Sequence, residues 1–454
     1  MSLACSRGAE GPRSGAGAES SAPDSTPLSP QPACPAKPRR VETSPGVEAR
    51  HRELEFWLGK LAEGEADTPL FSTQSVRDLN GRAREIDGAW RDVIEPDLGD
   101  ADRIRSQLDE RVEWMRGQVL SGKYVESVPG DFARAVARTR AASSMAELRV
   151  VAAESDLRCM PLDASLYKEP ADPDFDRNNC ASLHAGEWVR VLAHLDEGEV
   201  RWDYVHAGHS VGWLRDAMWT PPIAVERARS LRAGARWTVT RDDATTRAGL
   251  SFRMGTVLPA QGREQVLVPT VEGLVPDRFE GEVALRTEGP GAVWTRRGLW
   301  GAALSELDSP YGWGGRAGER DCSRLLRDVF MLAGLELARH SAVQAKLGSS
   351  VIDVSLLDEA AKRQRIDEAA EQGLVLLYMS GHIMLYLGRD AEHQYGVSSI
   401  SEFLTPCEGG EDTVNRIDRV AVTTLELGRG TKKRAFIERI STIVVLGDEA
   451  SARG

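Results

Sequence analysis

Ser309-Pro310-Tyr311-Gly312-Trp313-Gly314-Gly315, followed by Arg320-Asp321-Cys322-Ser323-Arg324-Leu325-Leu326-Arg327-Asp328-Val329-Phe330, is the stretch that decides how the chain is read. Its first half is a glycine-rich loop carrying two aromatic residues. Its second half has the period of an amphipathic helix. Asp321 is a good N-cap, because its carboxylate can accept a backbone N–H of the first turn. Leu325, Leu326, Val329, Phe330 and Ala333 share one face and should be buried, and Gly334 supplies the stop. Cys322 then sits in the first turn, where unpaired N–H groups and the helix dipole favour a thiolate. A nucleophilic cysteine needs that lowered pKa, because the thiolate attacks. Taken alone, Cys322 would still be better read as a buried inert thiol.

A base must lie near such a thiol. Ser380-Gly381-His382-Ile383-Met384-Leu385-Tyr386-Leu387-Gly388 reads as a strand that opens at His382 and is buried on both faces. A histidine in that position can point across to a helix N-terminus. On its own it would be an ordinary strand-edge histidine.

The chain around these stretches has 454 residues, more than one core serves, so several domains are expected. A net charge of -12 argues against nucleic acid or an anionic membrane surface as the main partner. Cysteines stand at 5, 34, 159, 180, 322 and 407, with no C-x-x-C spacing, so neither a zinc motif nor a cofactor is expected. Cys159 and Cys180 could pair in an oxidising compartment. No apolar run is long enough to span a bilayer.

Composition and period divide the chain. Residues 1–48 are rich in Ser, Pro and Gly and should be a disordered tail. Residues 49–149 read as helical: Leu54, Trp57, Leu58 and Leu61, then Ile104, Leu108, Val112 and Val119, recur at helical spacing. Short strands between Gly- and Asp-containing turns fill 150–222 and again 223–295, as if one small barrel architecture occurred twice. The remainder, 296–454, holds the Cys322 and His382 stretches.

The Tyr-Gly-Trp-Gly-Gly, Asp-Cys-Ser and Gly-His-Ile-Met-Leu-Tyr-Leu-Gly motifs, in that order, resemble the NlpC/P60 family of cysteine peptidases. Leu337-Ala338-Arg339-His340-Ser341-Ala342-Val343-Gln344 is similar to that family's Leu-Pro-Arg-x-Ser-x-x-Gln, with Ala338 in place of Pro. Upstream, Asp156-Leu157-Arg158, Leu183-His184-Ala185-Gly186-Glu187, Ser210-Val211-Gly212-Trp213 and Met254-Gly255-Thr256-Val257-Leu258-Pro259 resemble bacterial SH3 (SH3b) domains. The implied fold is α+β: a papain-like NlpC/P60 catalytic domain preceded by two small SH3-like β-barrels and an N-terminal helical segment. The subgroup it resembles is the YkfC-type γ-D-glutamyl-L-diamino acid endopeptidases.

That resemblance implies hydrolysis of the D-γ-glutamyl–L-diamino acid bond in peptidoglycan stem peptides, with Cys322 as nucleophile and His382 as base. The residue that orients the base aligns with Ser398, where the family usually has His; Gln394, Ser399 or a displaced His393 are alternatives. By motif match a free L-Ala amine meets Asp321, Ser323 and Tyr311, with Trp313 walling the site and Ser341 nearby. Glu187 could add a second carboxylate or be an ordinary turn residue. Met1-Ser2-Leu3-Ala4-Cys5 resembles the end of a lipoprotein signal, which makes Cys5 a candidate lipid anchor and the bacterial cell envelope the implied location. Two other functions compete: a catalytically weak SH3b wall-binding protein, and a papain-like amidase acting on another substrate.

Overall fold

The computed structural model describes residues 38–86, 88–94, 101–287 and 295–448. Cys5 and its lipoprotein-like context lie outside them. Helices come first: Leu54–Leu58, Thr73–Glu85, Ala101–Leu120 and Asp131–Ala141. Ala101–Leu120 buries Ile104, Leu108, Val112 and Met115 along one stripe. Ile104 and Leu108 pack on Trp202, Tyr204 and Trp213. Val112 and Met115 pack on Phe132, Met160 and Leu166. The stripe is therefore a docking face for the sheet that follows. Trp57 is fully buried and joins a different core, with Leu299, Leu325 and Leu326.

A six-stranded sheet follows, in the order Ser143–Val150, Trp188–Glu197, Val200–His206, Val211–Arg215, Ser155–Arg158, Asn179–Leu183. After the helix Val225–Ala233 comes a five-stranded sheet, ordered Gly273–Asp277, Gln265–Thr270, Val257–Gln261, Arg236–Val239, Ala284–Thr287. Neither order returns to its first strand, so no closed barrel is found among the described residues. The two sheets differ in strand number and in pairing, unlike two copies of one architecture.

Two segment boundaries differ from expectation. Ser143–Val150 is a strand inside the stretch read as helical, paired with Trp188–Glu197. Its first half, Ser143-Ser144-Met145-Ala146, shows no apolar alternation, and only Leu148 and Val150 are buried. At the other end, residues from 38 onward belong to the fold and not to a disordered tail. Arg39–Arg40 pairs in parallel with Asn415 and Arg416. An edge strand offers unpaired main-chain groups, which a segment without apolar side chains can satisfy.

The last unit carries helices Arg296–Ser305, Cys322–Met331 and Glu359–Ala370 around a seven-stranded sheet. Its strand order is Arg39–Arg40, Thr413–Thr424, Gln394–Thr405, His382–Arg389, Leu374–Met379, Thr442–Leu446, Ser350–Asp353. The Cys322–Met331 helix packs Leu325, Leu326, Val329 and Phe330 into the core. Its opposite face is buried too: Arg324, Arg327 and Asp328 are all covered.

Ion pairs drawn from both upstream sheets make that burial tolerable. Arg320 reaches Asp328 at 2.8 Å, Glu306 at 2.8 Å and Asp242 at 2.6 Å. Arg324 reaches Asp328 at 2.9 Å and Glu187 at 2.8 Å. His184 bridges Asp328 and Glu154, each at 3.2 Å. Buried charges persist only when paired and hydrogen-bonded, as these are. The approach is close enough to need glycine. Gly255 has φ +83, and a Cβ there would stand 2.7 Å from the Asp328 carbonyl oxygen.

Candidate active site

Asp321 caps the Cys322–Met331 helix by accepting the Arg324 N–H at 2.9 Å. Gly314 N–H donates to its other oxygen at 3.2 Å, which ties the glycine-rich loop to the cap. Gly315 has φ +82, and a Cβ there would meet Ser182 Oγ at 2.2 Å, so the loop lies directly on the six-stranded sheet. Arg339 closes the arrangement with a fork onto Asp321, at 2.9 Å and 2.7 Å, and also donates to Ser323 Oγ at 2.8 Å. Burial alone would raise the Asp321 carboxyl, but Arg339, the Arg324 N–H and Ser323 hold it below the usual carboxylate range.

Cys322 is the free cysteine among the described residues. Cys159 and Cys180 form a disulfide with Cα atoms 5.2 Å apart, and Cys407 is disulfide-bonded as well. The expected lowering of the Cys322 pKa is reversed. Burial and the Asp321 charge push the thiol up to about 12, against hydrogen bonds from the Ile383 and Ser323 N–H groups and the charge of Arg339. A helix start favours a thiolate, but a carboxylate next door and loss of water outweigh it.

The Ile383 N–H that faces the sulfur is on the residue after His382, which brings the strand His382–Arg389 against the helix start. His382 is part-buried and its ring lies 5.6 Å from that of Phe436. Burial and Arg439 lower its pKa to about 4. Its Nε2 is 3.1 Å from Ser398 Oγ. Strand Gln394–Thr405 is antiparallel to His382–Arg389, with Val397 opposite Leu385, and this register sets Ser398 beside the ring. The alternatives turn elsewhere. Gln394 donates to Asp367 Oδ1 and the Arg363 carbonyl, His393 packs on Tyr395, and Ser399 Oγ donates to the Arg320 carbonyl at 2.6 Å.

With Nε2 engaged by a hydroxyl, Nδ1 is the nitrogen left to accept a proton, provided Nε2 carries the hydrogen. At neutral pH the thiol and the imidazole are both neutral, so the proton has to leave sulfur for the ring as the bond forms.

Of the other residues singled out from sequence, Tyr311 and Trp313 are half-buried on the loop. Burial, Asp321 and Cys322 raise the Tyr311 phenol well above its ordinary range. Trp313 meets Phe175 edge-to-face at 5.5 Å, and Arg177 lies 4.0 Å over its ring. Ser323 is committed to Asp321 at 3.0 Å and to Arg339. Ser341 opens the short helix Ser341–Gln344, which Gln344 ties to the Ser323 carbonyl at 2.8 Å. Glu187 is neither a groove carboxylate nor a free turn residue. Arg324 and His209 each reach it at 2.8 Å, and the arginines beside it hold its carboxyl well below the usual range despite burial.

Sequence reading gave Arg339, Phe175 and Arg177 no role. A buried arginine in Leu337-Ala338-Arg339 implies a carboxylate partner, but only the fold names it. Among the described residues no group of three or more His, Cys, Asp and Glu side chains could hold a metal ion.

Residues 308–402 match the model of the NlpC/P60 family. An NlpC/P60 endopeptidase from Photobacterium damselae subsp. piscicida has a similar structure, with TM-score 0.68 and 12% identity over 90% of this chain and 99% of that chain. That likeness speaks for the fold. NlpC1 from Trichomonas vaginalis is 11% identical over 63% of this chain and 94% of its own, but its TM-score of 0.24 carries no argument. No curated protein sequence matches. The chain carries an NlpC/P60 family domain at residues 308–402.

Proposed function

We propose that the chain is a cysteine peptidase that hydrolyses the γ-D-glutamyl–L-diamino acid bond of peptidoglycan stem peptides in the bacterial cell envelope. The observation that carries this reading is Cys322 at a helix start, the His382 strand against it through the Ile383 N–H, and Ser398 Oγ 3.1 Å from His382 Nε2. Cys322 attacks the γ-carbonyl, His382 takes the thiol proton and returns it to the leaving amine, and water resolves the thioester. Ser398 Oγ, 3.1 Å from Nε2, holds the imidazole in place. The two upstream sheets, which we read as SH3b-like, shape the groove and grip the catalytic helix. Cys5 is the proposed lipid anchor.

The resemblance also implies a free L-Ala amine at Asp321. Both oxygens of that carboxylate are engaged by Arg339, so we propose that amine recognition is weak. Purified protein should release L-Ala-γ-D-Glu from L-Ala-γ-D-Glu-diaminopimelate, identified by mass. Release of a different fragment would reassign the bond.

A second reading, a wall-binding protein with weak catalysis, is favoured by one observation. The orienting group is an uncharged hydroxyl, which stabilises an imidazolium less than a charged partner would.

A further inference from the structure

The wall beside Tyr311 is built by the loop that precedes the strand Asn179–Leu183. Phe175 lies 6.1 Å from Tyr311 and 5.5 Å from Trp313. Arg177 stacks 4.0 Å above the Trp313 ring and 5.5 Å from Phe175. Its Nε is buried with no hydrogen-bond partner. The carboxylates nearest to it are committed elsewhere: Asp176 to Arg158 at 2.8 Å, and Asp172 to Arg416 at 2.8 Å. Its other charged neighbours are cations. Lys168 and Lys123 are both exposed, and partial desolvation, then the charges of Arg177 and Lys123, lower the Lys168 pKa. In a chain of net charge -12, three cations that have no carboxylate partner of their own among the described residues, beside an aromatic wall, form a site shaped for an anion.

The distance from the chemistry is short. The Tyr311 phenol is within electrostatic reach of both Cys322 and Arg177. A guanidinium 4.0 Å over an aromatic ring is held beside it, and its fork of N–H donors matches a carboxylate.

We propose that Arg177, backed by Trp313 and flanked by Lys123 and Lys168, is a subsite for a carboxylate of the substrate peptide. This rests on the peptidase reading. In a stem peptide the carboxylate is either the α-carboxylate of the γ-linked glutamyl residue or one on the diamino acid.

The test uses full-length Cys322→Ala protein, which holds peptide without turnover. Arginines are modified with phenylglyoxal and mapped by mass spectrometry, with and without L-Ala-γ-D-Glu-diaminopimelate. Two further peptides are amidated either at the glutamyl α-carboxyl or at the diaminopimelate carboxyls. The free acid should slow Arg177 modification at least about fivefold, the loss expected when a charge-assisted hydrogen bond must break first. One of the two amides should fail to protect, and that one names the carboxylate. Equal protection by all three peptides, or by none, would overturn the subsite. Wild-type turnover, measured separately, keeps the two ideas apart. Protection without turnover sinks the peptidase and leaves the anion site, whereas turnover without protection does the reverse.

Discussion

Arg339 holds Asp321 at two points, Nη1 to Oδ1 at 2.9 Å and Nη2 to Oδ2 at 2.7 Å, with the guanidinium 3% exposed. Asp321 also caps the helix that begins with Cys322, so this pair fixes the direction from which the nucleophile enters the groove. Arg339→Gln leaves a buried carboxylate without its cation. The cost should be roughly 3–5 kcal/mol, the range for breaking a buried pair from one side. Thermal unfolding of the variant measures it. A loss below about 1 kcal/mol, typical of exposed pairs, would show that water compensates Asp321.

Cys322 should react slowly with iodoacetamide at neutral pH, because burial and Asp321 keep the thiol protonated. Its rate should keep climbing as pH is raised beyond 9, and Asp321→Asn should accelerate it at pH 8 by removing the adjacent negative charge. Rapid labelling that does not change between pH 6 and pH 8 would mean a resting thiolate and a different electrostatic account.

His382 stays neutral far below the ordinary histidine range because burial and Arg439 lower its pKa to about 4. A base that is already deprotonated does not limit the reaction until the pH approaches that value. The acid limb of kcat/KM should therefore bend near pH 4 and not near pH 6.5. Ser398→Ala should lower kcat roughly tenfold through loss of one hydrogen bond that holds the ring in place, with KM little changed. An acid limb at pH 6 to 7 would place the imidazole in a wetter setting than the fold provides.

The seam between the catalytic helix and the upstream sheets should make the protein acid-labile. His209 is buried at 3% exposure, and its pKa falls to about 3, because burial and Arg327 outweigh its bond to Glu187. The unfolded chain takes up that proton as pH falls below about 6.5, while the folded chain refuses it. Stability is therefore lost between pH 6.5 and 3. Asp328 and Glu187 act in the same direction at lower pH, since paired carboxylates with depressed pKa values lose their contribution as they protonate. The melting temperature should fall steadily from pH 7 to pH 5, and His209→Gln should flatten that slope. Asp242→Asn should cost stability at every pH by loosening Arg320. A melting temperature flat from pH 7 to pH 5 would show that the buried histidines titrate normally.

Local pattern made some of this legible. The N-cap Asp321, the apolar face of Leu325, Leu326, Val329 and Phe330, and the strand opening at His382 are set by neighbours a few residues apart. The same pattern was silent about the other face of that helix. Arg320 meets Asp242 across 78 residues and Arg324 meets Glu187 across 137, and no periodicity carries such pairings. The Cys322 environment was misread for a related reason. A helix start is visible in sequence, but the depth of burial and the desolvation it brings are products of the whole fold. Alignment alone selects Ser398, and the strand register supplies the physical reason that it, and not Gln394, Ser399 or His393, lies beside the ring.

The central claim is that Cys322 and His382 together cleave a stem peptide. The most direct measurement is the hydrolysis rate of L-Ala-γ-D-Glu-diaminopimelate by the wild-type chain, Cys322→Ala and His382→Gln, with folding checked by circular dichroism. Removing either residue should abolish measurable turnover, because nucleophile and base act as a unit. Turnover by folded Cys322→Ala within about tenfold of the wild type would contradict the account, since an alanine cannot form the thioester.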